Sequence, residues 1–191
     1  MLEISSVGKC YGDLIAVEDL DLSIKDGEIF GLLGPNGAGK TTSISMISGL
    51  IKPDSGSIDI AGRGAPHIAE SRRSLGVAPQ SIALYESLTA RENLTFFGKM
   101  YGLSSAELKT AVDDALILAD LESRQNSKVA EFSGGMKRRL NLAVAMIHKP
   151  KLLLLDEPTV GVDPQSRNAL LDNVLKLRNQ GHTIIYTTHY M

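Results

Sequence analysis

At 191 residues the chain holds about one domain of ordinary size, with length to spare for a packed core. Its 43% hydrophobic and 22% charged residues exclude a disordered, collagen-like or heptad-repeat protein. The 20 basic and 22 acidic residues leave a formal net charge of -2, so nothing global draws the chain to nucleic acid or anionic lipid, and the single cysteine, Cys10, excludes an internal disulfide and suits a reducing compartment.

Residues 2–6 and 16–24 alternate apolar and polar side chains, with turn signals at Tyr11-Gly12-Asp13 and Lys25-Asp26-Gly27, and predict two half-exposed antiparallel strands. Residues 28–33 are nearly all apolar and stop at Gly34-Pro35-Asn36-Gly37, as a buried strand entering a tight loop would. A helix is expected from Lys40 to about Gly49, then a turn over 52–56, a strand over 57–61 and a short strand over 75–78. The character changes near Ser87. Thr89, with Glu92 three residues on, makes a capping box that opens a helix carrying Leu94, Phe96 and Phe97. A second helix begins at Ser105, and a third, from about Gly134, carries Leu140, Val144 and Ile147 on one face. After Pro150 the buried-strand pattern returns over 151–155, followed by a helix near 164–179, a stop at Gly181 and a strand over 183–188. Two strands joined by a helical crossover predict a parallel sheet. The chain stops two residues past His189, where an α/β sheet ordinarily receives another helix, so a longer protein is expected around it.

Gly34-Pro35-Asn36-Gly37-Ala38-Gly39-Lys40-Thr41 fits the spacing G-x-x-x-x-G-K-[ST], between a predicted strand and a predicted helix. Glycines let successive N–H groups turn inward around phosphates, and the new helix presents its positive end. Lys40 reaches the outer phosphate oxygens, and the Thr41 hydroxyl suits Mg2+. The plainer reading, a glycine-rich turn, is disfavoured by the strand–helix context. The apolar strand 152–155 ends in Asp156 and Glu157, at the end of the sheet where α/β folds bind ligands. Asp156 is the candidate metal partner and Glu157 the candidate general base, dividing the work that phosphoryl transfer to water requires. Ser133-Gly134-Gly135 opens a predicted helix with Ser133 as its N-cap; an anion site and a simple cap predict the same letters, and both readings stay open.

In their order these motifs resemble the nucleotide-binding domain of ABC transporters, over essentially the whole chain. Residues 34–41 are similar to Walker A, Pro79-Gln80 to the glutamine loop, and Ser133-Gly134-Gly135-Met136 to the signature. Residues 152–157 are similar to Walker B, Gly161-Val162-Asp163 to the D-loop, and His189 to the switch histidine. The resemblance implies an α/β fold with a P-loop NTPase core and mostly parallel sheet over residues 1–86 and 150–191, an N-terminal antiparallel β subdomain, and a helical insert over 87–149 carrying the signature. It implies ATP and Mg2+ as ligands, with Thr42 beside the phosphate loop and Tyr11 stacked on adenine with support from Val17. Gln80 would touch the metal or the lytic water beside Thr41 and Asp156, and His189 would hold the γ-phosphate and orient Glu157. It also implies two such domains packed head to tail, as a homo- or heterodimer, with Ser133, Gly134 and Gly135 of one covering ATP on the other.

The chain departs from the commoner pattern at Phe132, Met136 and Gly161-Val162-Asp163, and these variants are most similar to the branch exporting drugs and antibiotics. Lys137-Arg138-Arg139 could set an arginine near the ribose or the facing subunit, or could simply face solvent. The expectation is an ATP-hydrolysing subunit that powers export through separate membrane-spanning permease subunits, held at the inner face of the cell membrane, with no nucleic-acid partner. Leu84, Tyr85 and Phe97 are candidate permease contacts, with core packing the plainer reading. A soluble ABC ATPase driving a cytosolic assembly and a phosphotransferase acting on a small substrate are the rivals.

Overall fold

The computed structural model describes residues 1–35 and 37–188. Strands β1 (Leu2–Tyr11) and β2 (Leu14–Ile24) form a hairpin. Strand β3 (Ile29–Leu33) and helix α1 (Lys40–Ile47) follow, and β4 (Ser55–Ile60) then pairs with the other side of β1, giving an antiparallel sheet ordered β2-β1-β4. β1 runs past the predicted end because a bulge at Ser5 and Ser6 breaks its alternation. Leu2 and Ile4 are buried, the bulge shifts the phase by one, and Val7 is buried as well. Ser6 takes a positive φ of 48°, and its N–H donates to Asp21 Oδ1 at 2.8 Å.

A short helix absent from the sequence reading, α2 (Ala69–Arg73), leads into β5 (Leu75–Ala78). Helices α3 (Ala90–Met100), α4 (Ser105–Ala119) and α5 (Gly134–Met146) form the helical layer. Thr89 and Glu92 close the expected capping box on α3, Ser104 and Glu107 close another on α4, and Ser133 caps α5. These helices enclose their own core, in which Leu94, Val112, Leu116, Leu140 and Ile147 are each at most 2% exposed. Burial of each such side chain contributes about 1.5–3 kcal/mol. The other side of α5 belongs to a second core: Leu142, Ala145 and Met146 pack with Leu153, Leu155 and Leu170. One helix therefore ties the helical layer to the sheet.

Strand β6 (Leu152–Leu155), helix α6 (Pro164–Asn179) and strand β7 (Thr183–Thr188) complete the described chain. The second sheet is parallel, as the crossover predicts, with order β3-β7-β6-β5. β6 and β7 lie centrally, and every residue of β6 is fully buried. Among the described residues β3 pairs on one side, with β7, and Leu33 is 58% exposed. Among the described residues no helix is long and apolar enough to cross a membrane.

Candidate active site

The loop after β3 turns into α1 with Gly39 as N-cap at φ 79°, a conformation that side-chain-bearing residues avoid. A Cβ on Gly39 would lie 2.5 Å from the Ala16 carbonyl oxygen and 3.2 Å from Val17 Cγ2, so β2 supports the underside of the loop through Val17. Lys40 is buried, and its ammonium donates to the carbonyl oxygens of Gly34 at 2.6 Å and Pro35 at 2.8 Å. Thr41 in the first turn of α1 is exposed, and Thr42 beside it is half-buried. Asn36 lies outside the described residues.

At the end of β6, Asp156 and Glu157 are 9% and 8% exposed. The register of β6 against β7 brings Thr187 beside them. Its hydroxyl proton goes to Asp156 Oδ1 at 2.7 Å, and its oxygen accepts the Glu157 N–H at 2.8 Å. Glu157 takes a positive φ of 45°, strain of the kind stored where a side chain must be aimed. Gln80, just beyond β5, donates from Nε2 to Glu157 Oε2 at 3.0 Å. Thr41, Gln80, Arg138, Asp156 and Val160 help line one open cleft of about 540 Å³.

Tyr11 ends β1 with half its surface open, and the Lys9 ammonium stands 5.8 Å from its ring centroid. Ser133 Oγ accepts the Met136 N–H at 3.2 Å. Ser133 and Gly134 are exposed, and neither they nor Gly135 lines the cleft that holds Thr41 and Asp156. Gly135 is buried against α6, where an added Cβ would meet Ser166 Oγ at 2.3 Å. The basic run on α5 is half-buried and makes contacts within the chain. Lys137 pairs with Glu86 and Arg139 with Asp120, while Arg138 reaches back to the Pro79 carbonyl oxygen at 3.3 Å. Burial lowers the Arg138 pKa, and the charge of Asp156 opposes part of that shift.

The sequence matches the family profile described as ABC transporter over residues 17–160. The chain belongs to the ABC transporter family. It is 52% identical, over its whole length, to the linearmycin resistance ATP-binding protein LnrL of Bacillus subtilis (strain 168) and covers 62% of that protein. It is 47% identical to the Nod factor export ATP-binding protein I of Sinorhizobium fredii (strain NBRC 101917 / NGR234), covering all of this chain and 56% of that one. The chain thus spans about three-fifths of the length of the curated relatives it matches. A solved structure of a dimeric ATP-binding cassette in a post-hydrolysis state, bound to ADP and Pi, superposes with a TM-score of 0.87 at 30% identity, covering 100% of this chain and 88% of that one.

The ABC fold therefore brings Lys40, Thr41, Gln80, Asp156 and Glu157 to one side of the sheet and leaves the signature residues outside that cleft. His189 lies outside the described residues. Sequence reasoning missed Thr187, although a threonine in a strand that carries the buried pair Ile184-Ile185 is a signal that its hydroxyl can find a buried partner. It also missed Asn141, buried at 4% on α5, for which polarity on an apolar helix face was the available signal.

Proposed function

We propose that this chain is the ATP-binding and ATP-hydrolysing subunit of an ABC exporter, acting with separate membrane-spanning permease subunits at the inner face of the cell membrane. The observation that carries the reading is the buried Asp156–Glu157 pair, held by Thr187 and Gln80 at the cleft that Thr41 also lines. The donor set fits a hard divalent cation: the Thr41 hydroxyl, one Asp156 carboxylate and the Gln80 carboxamide oxygen, few charges for a cation that arrives with phosphates. Bound Mg2+ would be held by these three groups and would neutralise charge on the phosphate oxygens. The names of the two relatives, a resistance protein and an export protein, support export as the direction.

Lys40 exchanges its two neutral carbonyl acceptors for anionic phosphate oxygens, which form stronger charge-assisted bonds. Backbone N–H groups at the α1 N-terminus add to the cradle, and Tyr11 stacks on the purine. Glu157 takes a proton from water as the water oxygen bonds to the γ-phosphorus and the bond to the β–γ bridging oxygen breaks, giving ADP and phosphate. Gln80 keeps the Glu157 carboxylate aimed. By its match to the switch histidine, His189, which lies outside the described residues, would hold the γ-phosphate. Ser133, Gly134 and Gly135 cover the nucleotide of a second ABC ATPase domain, in a head-to-tail pair whose closure excludes water. Tyr85, about half exposed beside Phe96 and Phe97, offers the permease a surface, while Leu84 and Phe97 mainly pack on the helical core.

The deciding experiment compares the full-length parent and Glu157→Gln proteins for ATPase activity and for elution from a sizing column with and without Mg·ATP. Turnover falling by about 10²-fold or more, with an ATP-dependent dimer trapped in the variant, is the expected result. Equal turnover by the two proteins at saturating Mg2+ removes Glu157 as the base, and ATP binding without dimer formation removes the shared site.

A further inference from the structure

The segment between β5 and α3 that carries Gln80 has no regular structure of its own, yet buried side chains of two helices grip it. From α5, Asn141 Nδ2 and an Arg138 guanidinium nitrogen both donate to the Pro79 carbonyl oxygen, each at 3.3 Å. Asn141 Oδ1 accepts the Ala83 N–H, also at 3.3 Å. From α3, the fully buried Asn93 accepts the Tyr85 N–H at 2.8 Å and donates to the Tyr85 carbonyl oxygen at 3.0 Å. A buried amide that satisfies loop backbone at both its oxygen and its nitrogen fixes that backbone, because displacing it would leave unpaired groups on both sides.

We infer that Asn141, assisted by Arg138, is a positioning residue for hydrolysis: it ties the helix that starts at Ser133 to the residues flanking Gln80, and so sets where Gln80 meets Glu157. The inference rests on the function proposed above. α5 begins with Ser133 as its N-cap and reaches Asn141 two turns later, so a shift of the signature end of the rigid helix moves the Pro79 and Ala83 anchors with it. Gln80 Nε2 is bonded to the proposed base, which places the base one hydrogen bond from the moving anchor. Closing one signature over a nucleotide thereby adjusts the base in the same chain. Neither Asn141 nor Arg138 need touch the reacting atoms for this.

The test uses the full-length protein. Asn141→Leu keeps the size of the side chain and removes both its bonds; Arg138→Met removes one bond at a half-buried position where folding is less at stake. Each is expected to lower kcat by about 10-fold or more while the KM for ATP changes by less than about 3-fold, since misplacing a catalytic group by a fraction of an ångström costs on this scale. Combined with Gln80→Ala, each is expected to cause no further loss, because it acts through Gln80. Losses that multiply in the Gln80→Ala background, or an unchanged kcat in Arg138→Met and Asn141→Leu, overturn the inference. An inactive parent protein would instead refute the function on which it rests.

Discussion

Replacing Thr187 by valine keeps the shape of a fully buried side chain and deletes one hydroxyl that serves two neighbours. The bond to the Asp156 carboxylate is charge-assisted, worth about 1.5–3 kcal/mol, and the stranded Glu157 N–H costs a further ~1–3 kcal/mol. The extra methyl at a fully buried position returns about 0.8 kcal/mol. The net loss is about 3 kcal/mol, which for a chain of this size lowers Tm by roughly 6–12 °C. The functional loss should exceed what stability explains, since Asp156 Oδ1 and the backbone of Glu157 are both released. Calorimetry of the parent, Thr187→Val and Thr187→Ser, with Mg·ATPase assays at a temperature where all are folded, would measure both parts. Thr187→Ser keeps the hydroxyl and should retain most of the activity. A Thr187→Val protein as stable and as active as the parent would show that the hydroxyl does not organise the two carboxylates.

Gly39→Ala should weaken ATP binding by at least about 10-fold in titration calorimetry, because a left-handed alanine costs ~1–2 kcal/mol before its Cβ meets Ala16 O; unchanged affinity would mean the loop conformation is not needed for binding. His148 stacks on Tyr101 with ring centroids 3.6 Å apart, and its Nε2 bonds Leu75 O at 3.1 Å, while its buried Nδ1 has no partner among the described residues; burial pulls its pKa from 6.5 to about 4. The unfolded chain therefore binds this proton more readily than the folded one, so stability is full above pH 6.5 and falls by at most about 3 kcal/mol as pH drops toward 4. Denaturant titrations at pH 7.5 and 4.5 should show this slope reduced in His148→Phe, and an equal slope in both proteins would refute it.

The phosphate loop, the paired carboxylates and the helix caps were legible in the sequence because each is a local bargain between neighbouring residues. Gly39 must sit where a chain turns from strand to helix, and Thr89 must precede Glu92 by three residues, whatever the rest of the fold does. The order of the described strands was not legible, since β3 pairs with residues of β7 more than 150 positions away along the chain. The bulge at Ser5 and Ser6 was hidden for a related reason: two polar residues between apolar ones look like the end of a strand when its partners are unknown. Thr187, Arg138 and Asn141 act across 31, 59 and 62 residues respectively, and no spacing rule connects them to Asp156 or Pro79.

The burial pattern of the site bears on how the proposed reaction is completed. Lys40, Asp156 and Glu157 are buried on the protein side, whereas Thr41 and Gln80 are exposed on the side that faces the cleft. A site of this form can hold phosphates and aim a base, but its outer wall is solvent, where each electrostatic contribution is weakened by water. Of the residues proposed for a second wall, Ser133 and Gly134 are exposed and lie outside the cleft of their own chain, and Gly135, buried against α6, lies outside it too. Under the proposed function, binding is therefore a property of one chain and rapid hydrolysis a property of two. A single chain should accordingly bind ATP where its specific ATPase activity is still low, and because a dimer that ATP promotes must by linkage bind ATP more tightly, activity per chain and apparent affinity should rise together with protein concentration; activity per chain that stays constant on dilution through the dimer's dissociation would refute the shared wall.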